Sequence, residues 1–160
     1  MEQNKAKNLE EPSFEQLGTV TLCGISRFYS FDKVAGLPDQ WQSFAPLIHQ
    51  VTRKPQPVTY GAIYNGEDDS FDYLTAVELP EGTQPPQNMV CLKLLQQTYA
   101  VFHHPGHVAS LRETCAAIWS DWLPASGKKA VDAPWFERYG SKFDPMTGAG
   151  GLEVWIPVSD

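Results

Sequence analysis

QQTYAVFHHPGHVASLRETCAAIWSDW, residues 96–122, is the stretch on which the fold turns. Its first nine residues, Gln96 to His104, are rich in β-branched and aromatic side chains and predict a strand. Pro105-Gly106 is a turn signal. From His107 to Trp122 the apolar residues Val108, Leu111, Cys115, Ile118 and Trp122 recur at helical spacing, which predicts an amphipathic helix with one buried face. Leu123-Pro124 is expected to stop that helix.

Working outward, Ser126 to Pro134 reads as a polar connection, Trp135 to Gly140 as a strand, Gly148 to Gly151 as a flexible turn and Gly151 to Val158 as a last strand. The first half has the same order. Thr19 to Ser30 predicts a strand, and Ala35-Gly36 a turn. Leu37-Pro38-Asp39 opens a helix whose face carries Trp41, Phe44, Ile48 and Val51, with a kink or split at Pro46. Val58 to Asn65 and Phe71 to Pro80 predict a hairpin around the polar turn Gly66 to Asp69, and Glu81 to Gln87 a linker. The fold class is therefore α+β, from duplicated β-α-β-β units. Two such units predict a pseudo-two-fold antiparallel sheet, two long helices on one side and a ligand cleft between the halves. Residues 1–16 read as a flexible arm, and residues 17–160 as the domain.

Bulk properties exclude several classes. Lys and Arg number 12 against 19 Asp and Glu, for a net charge of −7, and the basic residues are scattered. A duplex-binding surface needs a basic stripe, so direct nucleic-acid binding is not expected. No apolar run reaches the roughly 20 residues of a membrane helix, and the polar N-terminus has no export signal, so a cytoplasmic protein without membrane contact is expected. Cys23, Cys91 and Cys115 lie among apolar neighbours and read as buried free thiols. His103 and His107 are four apart, but Pro105-Gly106 lies between them and no Cys or acidic ligand stands at a metal-site spacing. Capping and surface exposure explain them, so no metal and no cofactor is expected. No phosphate loop, dinucleotide fingerprint or nucleophile elbow occurs, and Ser126-Gly127 is a turn.

Alternation singles out candidate binding residues. On the last strand Leu152, Val154 and Ile156 share one face, and Glu153 and Trp155 the other. That second face is either a cleft wall suited to an organic cation or an outer face meeting water. Trp135, Glu137 and Tyr139 share a face of the preceding strand, and if the two strands pair, Glu137 could lie near Glu153. Tyr60 and Tyr64 share a face of one hairpin strand, Phe71 and Tyr73 a face of the other; all four suit either aromatic cleft walls or core packing. Trp41 and Trp119 read as core or cleft rim.

The run YAVFHHPGHVASLRETCAAIWSDWLPASG resembles the second half of the GyrI-like domain, the effector-binding domain of AraC-type and MerR-type bacterial regulators. The likeness continues through APWFERYGSKFDP and GLEVWIPV, and in the first half through YGAIYN and FDYLTAVEL. It covers Thr19 to Val158 by the order and spacing of loose motifs. It implies a stand-alone module binding an aromatic, cationic, drug-like molecule in a cleft between halves, with a strand-borne glutamate, matched to Glu153, contacting the ligand. The departure is the lack of room for a helix-turn-helix in residues 1–18. Two rivals accompany this reading. One is a hydrolase of reactive drug-like compounds using Glu153 as base with Tyr139 assisting. The other is an interaction protein resembling gyrase inhibitors, whose partner would be DNA gyrase or a separate regulator.

Overall fold

The computed structural model describes residues 9–140, 142–144 and 150–160. Strands β2 (Val20–Ser30), β3 (Thr59–Tyr64) and β4 (Ser70–Glu78) form the first unit around helix α1 (Leu37–Phe44). Strands β6 (Gln97–His104), β8 (Trp135–Tyr139) and β9 (Leu152–Ser159) form the second around helix α2 (Leu111–Ala117). Three further strands flank them: β1 (Ser13–Leu17), β5 (Val90–Leu94) and the short β7 (Lys129–Ala130). The strand order is β1-β6-β9-β8-β3-β4-β2-β5, with β7 on β9, and all pairings are antiparallel. The two units read outward from the β3–β8 seam as β3-β4-β2 and β8-β9-β6, so a pseudo-two-fold runs through that seam, as the repeated element order predicts.

Both helices pack on one face. Trp41 of α1 meets Tyr139 of β8 with ring centroids 5.1 Å apart, while Leu111 and Ile118 pack on Phe102, Leu152, Val154 and Ile156. The opposite face curls on itself: Leu22 and Leu94 from one end of the strand order share a core with Tyr99 and Val101 from near the other. The result is a half-barrel with helices on its outer side.

Local details differ from expectation for identifiable reasons. The arm expected over residues 1–16 joins the sheet from Ser13, where Phe14 faces Ala100 and Glu15 faces Tyr99; residues 1–8 lie outside the described residues. This strand is mostly exposed, so it carries little apolar signal. Strand β5 follows a proline-rich linker and was not expected, although VCLKL alternates. Pro46 does split the first helix: α1 ends at Phe44 and a 3-10 helix, Ala45–Gln50, follows. Pro124 does not stop the second. A π turn, Ile118–Trp122, intervenes, with Leu123 N–H bonding the Ile118 carbonyl five residues back, and helix α3 (Leu123–Ser126) continues to Gly127 at φ 78°. The wider turn relaxes the ladder where the proline ring would otherwise clash. The connection after Ser126 contains β7. The turn expected over 148–151 lies partly outside the described residues; Gly150 and Gly151 take φ 102° and 65°. The thiols are not uniformly buried: Cys23 is buried, Cys115 partly so and Cys91 exposed.

Candidate ligand-binding site

At the seam, Gly61 of β3 lies directly opposite Glu137 of β8. Glu137 points to the helix side. Its Oε1 accepts hydrogen bonds from the hydroxyls of Tyr73 at 2.7 Å and Tyr139 at 2.9 Å. Tyr73 in turn accepts from Trp41 Nε1 at 3.2 Å. Gln40, fully buried beside Trp41, fixes α1 to the sheet through Tyr29 Oη and the carbonyls of Ile25 and Tyr73. Burial raises the Glu137 carboxyl above its ordinary value, and the two tyrosine donors pull the other way. Burial, then the nearby Glu137, holds both tyrosines well above their ordinary range, so they stay protonated as donors. Among the described residues no ion pair reaches Glu137.

The reason Glu137 keeps some accessible surface deep inside the protein is a cavity of about 300 Å³ between the two helices. The first unit contributes Phe31, Val34 and Leu37, with Ile63, Phe71 and Tyr73 from the sheet. The second contributes Cys115 and the exposed Arg112 and Ala116 from α2, Trp119 from the π turn that continues it, and Trp135 and Glu137 from β8. Trp119 and Trp135 contact with centroids 5.5 Å apart. The cavity thus lies at the seam between halves but on the helix side. It is an aromatic and aliphatic box with one acidic group, at the low end of the volume range of small-molecule pockets.

Of the residues expected at the site, Glu137, Trp135, Phe71 and Tyr73 line this cavity, and Tyr139 and Trp41 complete its hydrogen-bond floor. Tyr60, Tyr64, Glu153 and Trp155 sit on the opposite, curled face. Glu153 pairs in register with Arg138, not Glu137, so the two glutamates of the adjoining strands project to opposite sides. There Glu153 accepts from Arg138 Nη1 at 3.2 Å and from Trp155 Nε1 at 3.0 Å, with the exposed His103 at 3.6 Å. The Arg138 guanidinium lies 5.9 Å from the Tyr60 ring and 5.8 Å from that of Trp155. Glu153 does face away from the helices, as its alternation predicts, but that face holds an internal cation. Tyr64 bonds Ser26 across the sheet at 2.5 Å.

Sequence reading missed Phe31, Val34, Leu37, Ile63, Arg112, Cys115 and Ala116 as cavity residues. Cys115 and Trp119 are four apart on the helix, a signal that a core face carries equally well. His107 caps the helical segment that follows, accepting from Ala109 N–H at 2.9 Å, and no cluster of three metal-ligating side chains occurs among the described residues. No described helix is long and apolar enough to cross a membrane.

Comparison with known proteins agrees with this architecture. The chain is 29% identical over 157 residues to the transcriptional regulator BrlR of Pseudomonas aeruginosa; the match covers 96% of this chain and 55% of that regulator, so the chain spans about half its length. A bacterial transcription regulation protein from Staphylococcus aureus superposes with a TM-score of 0.72 at 19% identity, over 94% of this chain and 99% of that one. The protein SAV2435, solved bound to tetraphenylphosphonium, superposes with a TM-score of 0.74 at 19% identity, over 94% of both chains. Residues 10–159 match the GyrI-like small molecule binding domain, and the chain belongs to that family.

Proposed function

We propose that this domain binds an aromatic organic cation in the helix-side cavity, with Glu137 as counter-charge, and that binding serves a bacterial regulatory system as effector sensing. The observation that carries the reading is a buried carboxylate, held by two tyrosine hydroxyls, with no basic partner among the described residues, facing an aromatic box. A buried carboxylate without a counter-ion is unfavourable. A cation entering the box supplies the missing charge, and the aromatic side chains of Trp119, Trp135, Phe71 and Tyr73 wall the space it enters. The family and the tetraphenylphosphonium bound to SAV2435 support the ligand class. The regulator relative supports the biological setting.

The test is calorimetry with tetraphenylphosphonium and with neutral triphenylphosphine oxide at one pH and salt concentration. The cation should bind at least about tenfold more tightly, roughly 1.4 kcal/mol. Equal affinities, or a preference for the neutral compound, would remove charge from the recognition.

A further inference from the structure

A second chemical feature lies away from the cavity. Cys23 of β2 and Cys91 of β5 are directly opposite one another in the antiparallel pairing. Directly opposed residues have Cα atoms about 4.5–5.5 Å apart and project to the same face. That separation falls within the range of about 4.4–6.8 Å that a disulfide bridges. Both thiols are free. Their environments are unequal: Cys23 is fully buried against Phe44, Val51 and Val77, whereas Cys91 is exposed on a strand at the end of the sheet. β5 is held on its inner side by β2, and among the described residues no strand pairs with its outer edge. It can therefore adjust more freely than a central strand.

We propose that Cys23 and Cys91 form a hydroperoxide-oxidisable pair, a modification site that staples edge strand β5 to β2. The exposed Cys91 reacts first, because a thiolate open to solvent is the nucleophile. Burial, followed by the neighbouring Cys91, pushes the Cys23 thiol up to about 12, so Cys23 stays protonated and does not compete for the peroxide; its place directly opposite Cys91 is what gives it the second step. In the first step Cys91 sulfur attacks a peroxide oxygen; the S–O bond forms, the O–O bond breaks and the leaving oxygen takes a proton, giving a sulfenic acid and an alcohol or water. In the second step Cys23 sulfur attacks the sulfenic sulfur; the S–S bond forms, the S–O bond breaks, and the hydroxyl leaves as water with the Cys23 proton. Two thiols and one hydroperoxide thus become one disulfide, one alcohol and one water, with two electrons passing from sulfur to the peroxide.

Cys115 is the internal control, because it packs with the second helix and lines the cavity. The full chain is treated with equimolar hydrogen peroxide and examined by intact mass and non-reducing peptide mapping, beside Cys91→Ser and Cys115→Ser. The wild type and Cys115→Ser should each lose two hydrogens, roughly 2 Da, with the 23 and 91 peptides cross-linked and released by dithiothreitol. Cys91→Ser, whose substitution is at an exposed site, should keep its fold by circular dichroism and form no intramolecular link. Sulfinic acid at Cys91, or Cys91-linked dimers in place of the 23–91 link, would overturn the proposal, as would an undiminished mass loss in Cys91→Ser.

Discussion

Gly61 and Glu137 face each other across the seam of the two units, and the space that a side chain on Gly61 would need is taken by the Tyr73 hydroxyl and the Glu137 carboxylate. A Cβ on Gly61 would lie 2.0 Å from Tyr73 Oη and 2.8 Å from Glu137 Oε1. The glycine is what lets a tyrosine hydroxyl and a carboxylate meet above the central strand pair. The seam of the duplicated fold and the acidic floor of its cavity are thus one feature, built where the symmetry brings β3 against β8.

It follows that Gly61→Ala should destabilise the protein by roughly 1–3 kcal/mol, as overpacking of a tight interior does. It should also weaken cation binding by displacing Tyr73 or Glu137. Gly18→Ala is the control: a Cβ there meets nothing within 4 Å, so its effect should stay within about 0.5 kcal/mol. Urea denaturation of both variants checks this. Equal stability of the two would mean that the seam has slack.

The raised carboxyl of Glu137 sets a pH dependence for the empty protein. Its folded value lies above the ordinary 4.5, so between the two values the native state binds more protons than the unfolded chain. Stability from this group is therefore greatest below its unfolded value and is lost as pH rises through the folded one. Glu137→Gln keeps an oxygen to accept from Tyr73 and Tyr139 but cannot ionise. The empty variant should melt higher than wild type above that window, and the difference should vanish below it. Melting curves from mildly acidic to neutral pH read this directly; a variant that melts lower at neutral pH would show that the ionised carboxylate is well solvated by its donors.

Much of this fold is written in the chain, because its two units repeat one pattern of strand, amphipathic helix and two strands. Trp41 and Phe44, like Leu111 and Ile118, are spaced for a helix packed on one face, and they do so. The edges were less legible. β1 is held by pairing with β6 while its side chains meet water, so periodicity had little to register. The site was half legible for a different reason. Alternation sorts Glu137 from Arg138 and Glu153 from Val154, but it cannot give the register between β8 and β9. A one-residue offset puts Arg138, and not Glu137, opposite Glu153. Nor does a sequence show which face of a sheet retains a void. That depends on how closely the two helices approach, and residues such as Val34 and Leu37 become cavity walls only through that spacing.

Tyr73 should prove a positioning residue. Its hydroxyl accepts from Trp41 and donates to Glu137, so Tyr73→Phe strips a partner from both at once. The expected loss of stability is roughly 1–3 kcal/mol, the usual effect of leaving buried polar groups unpaired. With one donor gone, the Glu137 carboxyl should move further up, so cation binding should weaken at a higher pH than in wild type. A binding profile against pH distinguishes this from simple loss of packing, which would lower affinity equally at every pH.

Arg112 stands at the cavity on the solvent-facing side of α2. A guanidinium there opposes an incoming cation through water, an effect that salt screens. Arg112→Gln should improve affinity for tetraphenylphosphonium by about twofold at low salt, within the range of exposed charge effects. The gain should disappear at high ionic strength. A loss of affinity at low salt would instead assign Arg112 a direct packing role on the ligand.

The sharpest test compares the two glutamates on opposite faces of adjoining strands. Glu137 and Glu153 differ in what already holds them: two neutral hydroxyls for the first, a guanidinium, an indole N–H and a nearby imidazole for the second. Charge recognition of a ligand needs a carboxylate whose counter-charge is missing, and Glu153 has one in Arg138. Glu137→Gln should therefore weaken tetraphenylphosphonium by about ten- to a hundredfold, roughly 1.4–2.8 kcal/mol, and spare triphenylphosphine oxide. Glu153→Gln should leave both ligands within about twofold, because its face lies across the sheet from the cavity, yet lower stability by about 1 kcal/mol through the partly exposed Arg138 pair. Calorimetry and denaturation on the same preparations separate the two effects. If Glu153→Gln instead abolishes cation binding while Glu137→Gln does not, the ligand sits on the curled face, where it would have to displace Arg138 from between Tyr60 and Trp155, and the helix-side cavity is a packing void.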